Sequence, residues 1–97
     1  MKCSILGEIY EISFEDLKNL GECDALACTI KLNSELKQNK EQLWRVLRHE
    51  LGHAFAYQSG LSDYMNNREQ EMFAQTMGNF LLIFDEPEWL ELLINQQ

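Results

Sequence analysis

Residues 40–60 read KEQLWRVLRHELGHAFAYQSG, a stretch of helical periodicity that ends on a glycine placed to stop a helix in a left-handed conformation. Taking about 100° per residue, Leu43, Trp44, Leu47, Leu51, Ala54 and Phe55 form an apolar arc, while Glu41, Arg45, Arg48 and Gly52 form a polar stripe. His49 and His53 fall on the flank between them, beside Val46 and Ala56. Side chains four apart on a helix lie nearly above one another, so both imidazoles can reach one metal ion. Glu50 sits about 100° further round, able to touch a metal-held water without becoming a ligand. The alternative is a helix flank on which His49 and His53 cap carbonyls or face water and Glu50 is a surface acid. These are the only two histidines of the chain, and an accidental HExxH in a chain this size has a chance on the order of a few in a thousand. The spacing therefore points to metal chemistry.

Working outward, residues 3–14 (CSILGEIYEISF) alternate loosely and are rich in Ile, Tyr and Phe, and ACTIKL at 27–32 is a second β-like run. Gly21-Glu22-Cys23-Asp24 reads as a turn between them, giving two or three strands. The active helix starts at about Ser34 or Asn39 and runs to Ser59. A second helix is expected from about Asn67 to Phe84, opened by Asn66 with Glu69 three residues later, the spacing of a capping box. Asp85-Glu86-Pro87 begins a short last helix, with Trp89, Leu90, Leu93 and Ile94 as its buried side. The expected fold class is α+β: a small antiparallel or mixed sheet, then the HExxH helix, a packing helix and a short C-terminal helix, an order that resembles zincin-like folds. Without repeats or a linker, the 97 residues read as one domain, 1–97.

Sixteen acidic against eight basic residues give a net charge of −8, which argues against nucleic acid, since phosphate binding needs clustered Lys and Arg. Glu8 and Glu11 interrupt the early apolar run, so neither a signal-peptide core nor a membrane span is drawn, and a cytoplasmic protein is expected. Three cysteines, Cys3, Cys23 and Cys28, fit reduced, buried thiols better than a disulfide framework.

A catalytic zinc site takes three protein ligands and a water whose pKa falls to about 7. With no third histidine, the third ligand is left to a carboxylate on another helix or to one of the cysteines. Glu69 lies at the centre of an arc with Met72, Phe73, Thr76, Met77, Phe80, Ile83 and Phe84, whose large apolar members are read as core; Glu71 points the other way with Gln75, Gly78 and Leu82. Glu69 is thus the preferred ligand and Glu71 the alternative. Tyr57, one turn beyond His53, and Tyr64, in the connection between helices, are candidate donors to a developing oxyanion.

With HELGHAF at 49–55, Gly60-Leu61 and NNREQEMFAQ at 66–75 in view, the chain resembles short gluzincin-like metallopeptidases of phages and mobile elements, related to the ImmA/IrrE type and to minimal gluzincins. The resemblance covers most of the chain. It implies a small sheet before the HExxHA helix, and through Phe73-Ala74 it maps the ligand onto Glu69; Gln70 and Glu71 depart from the usual Ala and Asp/Asn. It also implies that the strand before the active helix, 27–32, is the edge to which an extended peptide adds. The function expected is a Zn²⁺-dependent metallopeptidase acting on a peptide or protein substrate, with His49, His53 and Glu69 as ligands, Glu50 as catalytic base and Tyr57 as oxyanion donor. The alternative is a metal-binding regulatory or interaction module with little hydrolytic activity.

Overall fold

In the computed structural model, residues 1–81 and 86–96 are described. The chain is α+β; among the described residues a four-stranded mixed sheet is followed by three α-helices. Strands β1 (Lys2–Ile5) and β2 (Glu8–Glu15) form an antiparallel hairpin whose two turn residues, Leu6 and Gly7, both take positive φ, 50° and 90°. That turn matches the right-handed twist of the strands it joins. Strand β3 (Gly21–Asp24) and strand β4 (Thr29–Asn33) form a second antiparallel pair, and β4 inserts parallel to β2, giving the order β1-β2-β4-β3.

Two expectations change here. Gly21–Asp24 is a strand, not a turn; the reversal is made by Ala25–Cys28, where Asp24 Oδ1 accepts from the Ala27 N–H at 3.1 Å and Cys28 takes φ 54°. The run at 27–32 is not a free edge, because β4 is hydrogen-bonded to β2 on one side and β3 on the other. Among the described residues the open edge on this side of the sheet belongs to β3.

Alternation along β2 and β4 turns Tyr10, Ile12, Ile30 and Leu32 to one face, all essentially without solvent exposure. Helix α1 (Lys40–Gln58) covers that face with Leu43, Trp44, Leu47 and Ala54, after a 3-10 turn at Ser34–Gln38. Its start is capped by Asn39, whose side chain accepts from the Gln42 N–H at 3.1 Å, and it ends before Gly60 at φ 84°. Helix α3 (Trp89–Asn95) closes the core with Leu90 and Leu93, and Trp89 meets Trp44 edge to face at 6.1 Å between centroids.

Helix α2 (Asn67–Leu81) packs on α1 through the side expected to be solvated. Ala74 and Gly78 are its buried residues, and they rest on Arg48 and Gly52 of α1, both buried rather than part of an exposed stripe. A Cβ on Gly52 would lie 2.9 Å from Ala74 Cα and 3.0 Å from Ala74 O. Only glycine permits that approach. Of the large residues read as core, Met72 and Phe80 are more than half exposed, while Phe73 and Met77 are half-buried, Phe73 stacking on Phe55 at 6.2 Å. The continuation of α2 to Phe84, the placing of Leu82, Ile83 and Phe84, and the start of the last helix at Asp85 lie outside the described residues. No helix among the described residues is long and apolar enough to cross a membrane.

The two interhelical glycines differ in a measurable way. Gly52→Ala drives a methyl group into α2 backbone and is expected to lower the unfolding free energy by about 1–3 kcal/mol. Gly78→Ala would meet nothing closer than 3.7 Å, so improved helix propensity should raise it by up to about 1 kcal/mol. Urea unfolding of both variants checks the opposite signs.

Candidate metal centre

The helical spacing does what elementary geometry requires of it. His49 and His53 turn their rings toward each other, with Nε2 atoms 3.2 Å apart and centroids at 4.9 Å. The third member is Glu71, one turn before Ala74 on the small-residue side of α2. Its Oε2 lies 3.0 Å from His49 Nε2 and its Oε1 3.1 Å from His53 Nε2. These are the residues that the structure brings together as a possible metal-binding group.

Glu69 is not among them. It is exposed and closes the capping box that opens α2: Asn66 Oδ1 accepts from the Glu69 N–H, and Glu69 Oε1 accepts from the Asn66 N–H, each at 2.9 Å. The structure thus brings Glu71, the alternative, to the histidines and places Glu69, the preferred ligand, in the helix cap. The physical reason is the packing of α2: its small side chains, not its large ones, lie against α1 and carry Glu71 with them.

The contacts suit a cation better than a set of protons. Each Nε2 offers one proton or one lone pair, yet each faces both the other Nε2 and a carboxylate oxygen. No assignment makes three separate hydrogen bonds of these contacts, whereas lone pairs converging on one cation satisfy all three. Zinc bonds of about 2.0–2.2 Å in tetrahedral geometry separate ligand atoms by about 3.3–3.6 Å, and the distances of 3.0–3.2 Å here are a few tenths of an ångström shorter. The two histidine side chains are 28% and 22% exposed and Glu71 64%, so the cluster has an open side.

Glu50 is buried, only 8% exposed, against the sheet edge. Gly21 makes its seat, since a Cβ there would come within 2.8 Å of Val46 Cγ1 and 3.2 Å of Glu50 Oε2. Burial raises the Glu50 pKa above the ordinary carboxylate value; His49 opposes the rise, and Glu71 and Glu22 add to it. For His53, burial lowers the pKa, opposed by Glu71 and aided by His49, which favours the neutral ring that a metal ligand needs. Tyr57 lines the same cavity of about 500 Å³ as His49, His53, Glu50 and Glu71. Tyr64 does not line it and is 87% exposed.

Comparison with protein-family models, curated proteins and solved structures finds no match. The site is read on its own chemistry.

Three supports escaped the sequence reading. Gly21 was taken for a turn residue, and nothing local marks it as the seat of a carboxylate. Asn33, buried at the end of β4, donates through Nδ2 to Leu17 O and Asn19 O at 2.9 and 3.2 Å and accepts the Glu35 N–H at 3.0 Å. It thereby fixes the segment that delivers β3 to the site. Across the connection between helices, Gln70 Nε2 donates to Met65 O at 3.1 Å, tying the start of α2 to its approach.

All three cysteines are free thiols, each half-buried where full burial was expected. Cys23 lines the same cavity, and burial, with Glu50 next in effect, pushes its thiol up to about 12. At pH 8 such a thiol carries about a thousandfold less thiolate than an ordinary one. Iodoacetamide should alkylate Cys23 correspondingly slowly in the folded protein and readily in urea, as peptide mass spectrometry would show; equal rates would mean that the β3 edge is not packed as described.

Proposed function

We propose that the chain is a zinc-dependent metallopeptidase of gluzincin-like type, with His49, His53 and Glu71 as metal ligands and Glu50 as general base. The convergence of three ligand atoms within 3.0–3.2 Å, beside a buried carboxylate, carries the reading. Zn²⁺ held there supplies Lewis acidity for both the attacking water and the scissile carbonyl.

The chain's own residues do the rest. Glu50 takes the proton of the attacking water, a task suited to a carboxylate made more basic by burial, and returns it to the departing amine as the C–N bond breaks. The Tyr57 hydroxyl, on the same cavity wall, donates to the carbonyl oxygen as negative charge develops on it. The substrate runs as an extended peptide along β3, whose residues Gly21, Glu22 and Cys23 line the cavity and whose outer edge is open among the described residues. Backbone pairing there holds the peptide without regard to sequence and leaves specificity to the pockets.

One zinc per chain is expected in wild type and in Glu50→Gln, with hydrolysis of a peptide library only in wild type. Zinc in both with hydrolysis in neither would favour a regulatory module, and absence of zinc would remove the metal reading. Glu71→Gln should weaken zinc binding by on the order of a hundredfold, measured by competition with a chromophoric chelator. Glu69→Ala should leave zinc affinity unchanged and cost about 1 kcal/mol of stability through the lost cap. Tyr57→Phe should lower kcat with little change in KM.

A further inference from the structure

A second cavity, of about 490 Å³, lies on the other side of Glu50 and shares Gly21, His49 and Glu50 with the first. Its charge is opposite to that of the chain. Lys18, Arg45 and Arg48, three of the eight basic residues in a protein of net charge −8, line it, and among the described residues Glu50 is the only acid that does. The first cavity has Glu22, Glu50 and Glu71 on its wall and neither Lys nor Arg. The site thus has a basic end and an acidic end, meeting over the general base.

Arg48 gives the basic end its character. It is 5% exposed, its guanidinium carbon lies 5.6 Å from the Trp44 ring centroid, and its Nε is buried without a hydrogen-bond partner. Among the described residues it forms no salt bridge, whereas Arg45 pairs with Glu41 at 3.7 Å on the exposed surface. A buried cation without a counter-ion is costly, and an arriving carboxylate would relieve that cost. Lys18 and Arg45 are exposed and screened, so they attract an anion more than they hold it. Leu20 adds an apolar wall.

We infer that this cavity receives a carboxylate of the peptide substrate, an Asp or Glu side chain or the C-terminal group, and so makes the enzyme selective for acidic residues on one side of the scissile bond. The inference rests on the peptidase reading for the nature of the substrate. It runs against the expectation from net charge alone, by which an acidic protein favours basic or neutral peptides.

The test measures binding and cleavage separately. Fluorescence anisotropy at 4 °C on the as-purified protein would compare labelled peptides that differ only in Glu, Gln or Lys at one walked position, each as free acid and as C-terminal amide. Mass spectrometry would confirm that they remain intact, and any that are cleaved would be scored by cleavage rate. Glu is expected to exceed Gln by on the order of tenfold or more at one position. Arg48→Met should abolish that preference, Arg48→Lys should keep part of it, and the exposed pair Lys18→Gln/Arg45→Gln should reduce it without threatening the fold. Preference for the free acid wherever Glu is placed would assign the cavity to the C-terminal carboxylate. Equal or absent binding of Glu, Gln and Lys peptides, acid and amide alike, overturns the inference. Cleavage with no acidic preference would leave hydrolysis standing and remove the carboxylate site; acid-selective binding that responds to Arg48 with no cleavage would do the reverse.

Discussion

Gly52 and Ala74 meet across the two long helices with no room for another methyl group, and the geometry of the site follows from that contact. Packing in protein interiors tolerates few voids, so removing bulk at one point draws in everything attached to it. The helix backbones close up where the side chains are smallest. His49 and His53 lie on either side of Gly52 in sequence, and Glu71 lies one turn before Ala74, so the same approach that seats Ala74 brings the carboxylate to the imidazoles. Gly52 of HELGH thus has a mechanical meaning beside the chemistry of its neighbours.

Glycine acts a second time on the other wall. Gly21 lets β3 lie against Glu50, and with Val46 it keeps that carboxylate in a low-dielectric setting. Proton affinity follows from enclosure: the same shielding that raises the Glu50 pKa raises Cys23 still more visibly. Asn33 completes the support at a distance. Its four hydrogen-bonding roles, three through the side chain and one through the N–H to Leu20 O, replace regular structure across residues 17–20.

What was legible in the residues was local. Asn39, Gly60 and the Asn66/Glu69 box mark helix ends by hydrogen bonds that span a few residues, and His49 and His53 face alike because a helix repeats every 3.6 residues. The mixed sheet was legible as a class, but its order was not. Insertion of β4 beside β2 is a pairing between segments about 18 residues apart that no local pattern encodes. Gly21–Asp24 looked like a turn because Gly and Asp are poor strand formers, and tertiary pairing with β4 overrode that preference. Glu69 was preferred over Glu71 because size was taken as the signature of burial. In α2 the large residues Met72 and Phe80 are exposed while Ala74 and Gly78 are covered, so closeness of backbones decided the packed face.

The edge of β3 that is open among the described residues has a second side to it. A strand left open is a template for any extended chain, including the same strand of another copy, and proteins that keep such edges guard them with charge and brevity. Here the edge is four residues long and carries Glu22 and Asp24, both exposed, in a chain of net charge −8. Two copies approaching edge to edge would press like charges together. The acidity of the edge thus opposes pairing with a second copy of the same strand while leaving its backbone groups open to a chain of different charge.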